Sequence, residues 1–272
     1  MYLPKQYLRY PLWLTIDVEV LTDANFGITP KKSLAIDYER LVENWIELCA
    51  SHNVTSTAFV LGSFAKKYPQ AVRNLQRHGH EIACHGLVHD LVYQTPFETW
   101  KSQISDAKKI LEDTTGAQVS GYRSPSWSLP FEKRYYEALI ETGFAYSSSY
   151  FPFKTYMYGN SIDKKHPFVV TTKAGKITEI PVPKYLIPFS GGFYLRILPL
   201  PIVEFLLKRL IQTEIKPILY THPYELLPNL FTRFFDSVRF DKAYILTFAQ
   251  TGSVPERIDK ILEKFSDTKD GI

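Results

Sequence analysis

Four short stretches of the sequence carry side chains whose type and spacing can do chemistry. Asp17-Val18-Glu19 places two carboxylates two residues apart, and His85-Gly86-Leu87-Val88-His89 places two imidazoles four apart. Arg123-Ser124-Pro125-Ser126-Trp127 adds a guanidinium and an indole, and Thr221-His222-Pro223 adds a third histidine. On a strand, residues i and i+2 point to one face, so Asp17 and Glu19 repel each other unless a cation or a partner sits beside them. A solvated rim pair is the plainer alternative. Histidines four apart in a helical turn share a face and can grip one metal ion; two surface histidines on a turn is the alternative there. A carboxylate from position 17 or 19 would complete a two-histidine, one-carboxylate set that leaves positions open for water and substrate. Arg123 suits a bidentate contact to one carboxylate, as an orienting group or a plain salt bridge. His222, between an apolar run and a proline, is a general acid if it faces a metal site and a structural histidine otherwise. Trp127 is either a platform for a sugar ring or a core side chain.

Each of these stretches follows a strand-like run. Leu12–Val18, Val54–Val60, Glu81–Cys84, Val119–Tyr122, Ala145–Ser148 and Pro217–Tyr220 read as strands. Helical periodicity links them. One stripe runs through Leu34, Tyr38, Leu41, Val42, Trp45 and Cys49, and the next through Phe64, Tyr68, Val72 and Leu75 up to Gly79. A third takes Phe97, Trp100, Ile104, Ala107 and Leu111 and stops near Gly116, and others cover 130–142, 200–212 and the C-terminal stripe of Val254, Ile258, Ile261, Leu262 and Phe265. Alternating strands and helices predict parallel strands with helical crossovers, whose carboxyl ends collect catalytic groups. The pattern breaks between about 150 and 192, where Phe168–Val170 and Ile177–Ile180 suggest an inserted hairpin or long loop. The expectation is one α/β domain over 1–272, built as an incomplete barrel. An open doubly wound sheet competes, but no glycine-rich phosphate loop follows the first strand.

Composition narrows the function classes. The 272 residues carry a net charge of +4, 45% hydrophobic and 22% charged residues, as ordinary globular domains do. Disorder is excluded, as is a disulfide scaffold, since Cys49 and Cys84 are the two cysteines. So mild a charge argues against nucleic acid as a partner. The first ten residues lack the apolar core of a secretory signal, and with so few cysteines a cytoplasmic location is predicted. No apolar run approaches the ~18 residues of a membrane span. Asn229–Phe240 places Phe231, Phe234 and Phe235 beside Arg233 and Arg239, a segment able to lie on a membrane surface or to pack inward. Aromatic residues reach 15%, and the stripes above absorb only part of them.

In this order, the motifs resemble those of the polysaccharide deacetylase family (NodB homology, carbohydrate esterase 4-like). The resemblance runs from about residue 12 to 225 and is most specific in Gly79-His80-Glu81-Ile82-Ala83-Cys84-His85-Gly86-Leu87-Val88-His89. Gly143–Ser149 and Gly191–Arg196 resemble the branch that accompanies surface-glycan and exopolysaccharide gene sets. The resemblance implies a distorted (β/α) barrel of fewer than eight strands and hydrolysis of an N-acyl, usually N-acetyl, group on an amino sugar. The sugar would belong to a glycan or to a lipid- or nucleotide-linked precursor. It implies a divalent metal, Zn²⁺ first and Co²⁺, Mn²⁺ or Ni²⁺ as substitutes, held by His85 and His89. Asp17 becomes the base, Arg123 its orienting partner and His222 the general acid. Tyr122, Ser124 and Trp127 of the third motif become candidates for substrate contact. Two departures stand out. The usual first motif has adjacent aspartates, the second a metal ligand, whereas Val18 stands here and Glu19 is the substitute, with Asp17 as metal ligand the alternative. Ser147 stands where related members often carry Asp. These departures motivate one rival function, an inactive glycan-binding protein; a related C–N hydrolase of non-sugar amides is a second rival.

Overall fold

In the computed structural model, residues 1–23, 35–153, 159, 163–185, 189–227 and 253–266 are described. The strands are β1 (Trp13–Val18), β2 (Thr57–Val60), β3 (Glu81–Cys84), β4 (Gly121–Tyr122), β5 (Tyr146–Ser147), β6 (Phe168–Thr172), β7 (Gly175–Glu179) and β8 (Ile218–Thr221). They form one sheet in the order β6-β7-β5-β4-β3-β2-β1-β8. Every pairing is parallel except the β6–β7 hairpin. The curled sheet is a distorted (β/α) barrel with seven mutually parallel strands. The expected insertion is therefore part of the barrel wall, because β7 pairs parallel with β5 through Tyr146↔Thr178 and Ser147↔Glu179.

Strand alternation divides the molecule into two cores. Leu14, Ile16 and Val18 of β1, Ala58 and Val60 of β2, and Ile82 and Cys84 of β3 face the helix layer. There they meet α2 (Tyr38–Ser51), α4 (Pro69–Arg77), α5 (Phe97–Thr115), α6 (Lys133–Glu141) and α8 (Leu200–Gln212). Trp13, Phe59, Ala83, Tyr146, Ile180 and Ile218 form the interior group, closed off by Tyr7 of the short α1 (Lys5–Arg9). Tyr7 meets Trp13 edge to face at 5.3 Å. The stripe through Phe64 and Leu75 is two helices, α3 (Gly62–Lys67) and α4, because Pro69 starts a new helix. The last described helix, α9, spans Val254–Phe265 and joins α2 through His52 Nε2 and Asp259 at 2.8 Å.

Among the described residues no helix is long and apolar enough to cross a membrane. The segment 229–240 considered for membrane contact, and Leu34, lie outside the described residues.

The closed end of the barrel holds a polar chain. Trp13 Nε1 donates to Thr57 Oγ1 at 2.9 Å, and Thr57 Oγ1 donates to Glu81 at 2.7 Å. The Tyr146 hydroxyl donates to the other Glu81 oxygen at 3.0 Å. Burial outweighs both hydrogen bonds and pushes the Glu81 carboxyl from 4.5 up to about 7. The folded state therefore holds this proton more tightly than the unfolded chain does, so this contribution to stability is complete below about 4.5 and is lost as pH rises through about 7. Glu81→Gln is expected to flatten the fall in stability across that window by about 2 kcal/mol, read by urea unfolding at a series of pH values.

Candidate metal and catalytic site

The carboxyl ends of β1, β3, β4 and β8 meet at the open end of the barrel. Glu19 lies one residue beyond the last β1 rung, Val18↔Val60, and His85 begins the loop after β3. Glu19, His85 and His89 each offer one ligand atom, and all three atoms lie within 4.8 Å of one another. Glu19 Oε2 is 2.9 Å from His89 Nε2 and 3.7 Å from His85 Nε2. Of the two candidate carboxylates, Glu19 is thus the one that sits with the histidines. The expected helical turn is absent: residues 85–89 form an irregular loop, and Gly86 takes φ +104°. The loop brings the two imidazoles together, with ring centroids 5.5 Å apart.

The donor set fits a cation. His85 Nδ1 lies 2.9 Å from the Arg123 carbonyl, which can only accept. That fixes the proton on Nδ1 and leaves Nε2 as a lone pair pointing at Glu19. His85 Nε2 and Glu19 Oε2 are buried without hydrogen-bond partners and lie 3.7 Å apart, and His89 Nε2 lies 2.9 Å from the same oxygen. Buried acceptors such as His85 Nε2 and Glu19 Oε2, facing each other with no proton between them, are costly unless a cation sits there. Electrostatics agree. Burial pushes Glu19 upward, but His89, His222 and His85 outweigh it and hold the carboxyl down at about 2. Burial pushes His85 down to about 4, only partly offset by Asp17. For His89, burial pulls downward, but the Glu19 charge wins and raises it.

Asp17 is held apart from this cluster. Its Oδ1 accepts from Arg123 Nη1 at 2.7 Å, both side chains being almost fully buried. The same nitrogen donates to Thr15 Oγ1 at 3.0 Å, and Nη2 donates to Ser148 Oγ at 3.3 Å. The guanidinium lies over the Phe59 ring, 3.9 Å from its centroid.

His222 enters from β8, with Nε2 3.8 Å from Glu19 Oε1. Its Nδ1 lies 3.1 Å from Glu225 Oε2, an oxygen that also accepts from Thr221 Oγ1 and the His222 amide. Arg196, on α7 (Phe193–Ile197), pairs with the other Glu225 oxygen. Burial pulls the His222 imidazole below its ordinary value, against the pull of Glu19 and Asp17 upward. Tyr224 stacks on His222, centroids 4.9 Å apart and planes 9° apart, and its hydroxyl donates to Glu19 Oε1 at 3.3 Å. The approach of α7 depends on Gly191, whose φ is +103° and where a Cβ would sit 2.5 Å from the Tyr220 carbonyl oxygen.

The third motif is arranged differently from expectation. Tyr122 alternates with Arg123, so it faces the helix layer, where its hydroxyl accepts from Trp100 Nε1 at 3.1 Å; it is a core residue and not a substrate contact. Ser124 is fully buried and holds the loop, its amide donating to Ser149 Oγ and its Oγ accepting from the Leu129 amide. Trp127 is 8% exposed and packs with Phe151, Val182 and Tyr220, forming an apolar wall instead of an open platform. Ser126 and Trp127 both adopt φ +50°, a left-handed conformation that strains non-glycine residues. At the Ser147 departure, the carboxylate comes from elsewhere: Glu179 Oε1 accepts from the Ser149 and Tyr150 amides at 2.7 and 2.9 Å. Sequence reasoning missed Tyr224, Glu225, Arg196 and Glu179. Only the spacing His222-x-Tyr224-Glu225 hinted at the first two.

Comparison with known proteins follows the same lines. Residues 27–147 match the polysaccharide deacetylase family, and residues 148–269 match a domain of unknown function, DUF3473. The two stretches share one sheet, through β5–β7, while β1, with Asp17 and Glu19 at its end, precedes both. A putative polysaccharide deacetylase of Bacillus subtilis, YheN, is 32% identical over 87 residues, 31% of this chain and 30% of that protein. A chitooligosaccharide deacetylase of Azorhizobium caulinodans is 36% identical over 85 residues, 30% of this chain and 40% of that protein. The chain thus spans well under half the length of these curated relatives. The crystal structure of a putative polysaccharide deacetylase from Mycobacterium smegmatis superposes with a TM-score of 0.59 at 19% identity, covering 97% of this chain and 87% of that one, a likeness of fold. With its motifs gathered at one end of a deacetylase-type barrel, the chain matches the polysaccharide deacetylase family over residues 27–147.

Proposed function

We propose that this protein is a metal-dependent hydrolase that removes an N-acyl, most simply N-acetyl, group from an amino sugar of a glycan or of a lipid- or nucleotide-linked precursor. The observation that carries this reading is the convergence of one ligand atom each from Glu19, His85 and His89 beside a buried Asp17–Arg123 pair and His222. Two histidines and one carboxylate suit Zn²⁺, with Co²⁺, Mn²⁺ or Ni²⁺ as substitutes. Such an ion, when bound, supplies Lewis acidity toward the amide carbonyl and lowers the pKa of water.

The chain's own residues divide the proton work. Arg123 occupies Asp17 Oδ1 and fixes the carboxylate, leaving Oδ2 to take the proton of the attacking water. His222 carries a proton on Nε2 to the departing amine, while Glu225 steadies Nδ1. The water attacks the amide carbon, the C–N bond breaks, and acetate and a free amine leave. His222 is 16% exposed, so the leaving group has a route to solvent on that side. The wall of Trp127, Phe151 and Tyr220 lies against His222 and Arg123 and is where we place the acyl methyl.

Three outcomes test the reading. Metal analysis of the purified protein is expected to find about one divalent ion per chain, lost in His85→Ala together with acetate release from N-acetylated sugars. Metal-free wild type, or a His85→Ala variant as active as wild type, would refute it; release from simple amides but not from sugars would favour the rival C–N hydrolase. Asp17→Asn is expected to keep the ion yet lose about 10²–10⁴-fold in kcat, measured by steady-state kinetics alongside metal content. Because the Glu19 charge raises His89, metal must displace a proton from that imidazole. Affinity should therefore climb with pH through the imidazole range, and calorimetry in buffers of different ionisation enthalpy should show proton release that shrinks as pH rises.

A further inference from the structure

Glu19 reaches the histidines from a position beyond the end of the strand ladder, whereas an acid at position 18 would hang from the ladder itself. Its carboxylate is also one rotatable bond farther from the backbone than an aspartate's. Both features give it freedom that metal binding must remove, at a cost in rotamer entropy. A carboxylate has two equivalent oxygens, yet only Oε2 faces His85 and His89. Oε1 instead accepts the hydroxyl of Tyr224, which is 2% exposed.

We propose that Tyr224 is a positioning residue for the metal carboxylate: it takes Oε1 out of play so that Oε2 alone is presented to the ion. Its ring, stacked on His222, ties the orientation of that carboxylate to the plane of the proton-donating imidazole. The short turn Pro223–Leu226 thereby serves both functions, Tyr224 acting on Glu19 and Glu225 on His222. Hydrogen-bonded partners of metal ligands commonly govern affinity in this way. This inference rests on the metal-dependent reading above, and its test separates the two.

The test is the zinc dissociation constant of the full chain at fixed pH, by competition with a chromophoric chelator, for wild type and Tyr224→Phe. Phenylalanine keeps the stack on His222 and deletes only the hydroxyl. The variant is expected to bind zinc about 10–100-fold more weakly while the metal-free proteins melt together. A purely structural hydroxyl would lower the melting temperature and leave the zinc constant unchanged, and an unchanged constant overturns the inference while the metal site stands. Wild type that binds no zinc overturns the metal reading and this inference with it. If Tyr224→Phe does not fold, the near-ultraviolet difference spectrum of wild type decides: one equivalent of zinc should perturb a tyrosine as Glu19 redistributes its charge, and the absence of that signal overturns the inference.

Discussion

Arg123 is the residue through which the site is assembled. Its guanidinium ties Asp17 and Thr15 of β1 to Ser148 at the end of β5, and its own carbonyl fixes the tautomer of His85. One residue thus orients Asp17 by its side chain and His85 by its backbone. Such a buried cation is tolerable only because its charge is answered by Asp17 and its flat face by Phe59. Removing Asp17 would leave the buried guanidinium without its ion-pair partner.

The same logic recurs on the other side of the mouth. Glu225 is fully buried, and it is stabilised by Arg196, Thr221 and His222 together. Two buried ion pairs, Asp17–Arg123 and Glu225–Arg196, therefore flank the cluster of Glu19 with its histidines. Their geometry depends on close backbone approach, which is why glycine stands at position 191 against Tyr220. The residues that match DUF3473 are consequently part of the machine: they provide the barrel strands β6, β7 and β8, the histidine and its partners.

Much of this was legible in the sequence. Helical and alternating periodicities located the parallel strands, and chemistry-bearing residues at strand ends located the mouth. Asp17, Glu19, His85, His89, Arg123 and His222 all converge there. The failures have physical causes. As a contiguous motif, Tyr122 and Arg123 read as belonging together to the mouth, whereas strand alternation sends neighbouring side chains to opposite faces and Tyr122 to the helix layer. The histidine pair was read as helical because spacing alone does not reveal a loop pivoting on Gly86. Glu179 and Arg196 were invisible because their partners lie 30 and 29 residues away, at Ser149 and Glu225, across contacts that only tertiary structure creates.

The valine at position 18 carries a broader consequence. Where the usual family motif places a ligand, this chain places a core residue paired with Val60, and the carboxylate that meets the two histidines stands one step out along the chain. A column-by-column comparison would score that step as a lost metal site. In space, the carboxylate oxygen beside the histidines comes from Glu19, the next residue that shares the face of Asp17. What such a centre conserves is a set of atom positions, and a strand can satisfy it from more than one rung. Judging barrels of this kind to be dead enzymes on a missing aspartate would therefore misclassify those that merely lengthened the arm.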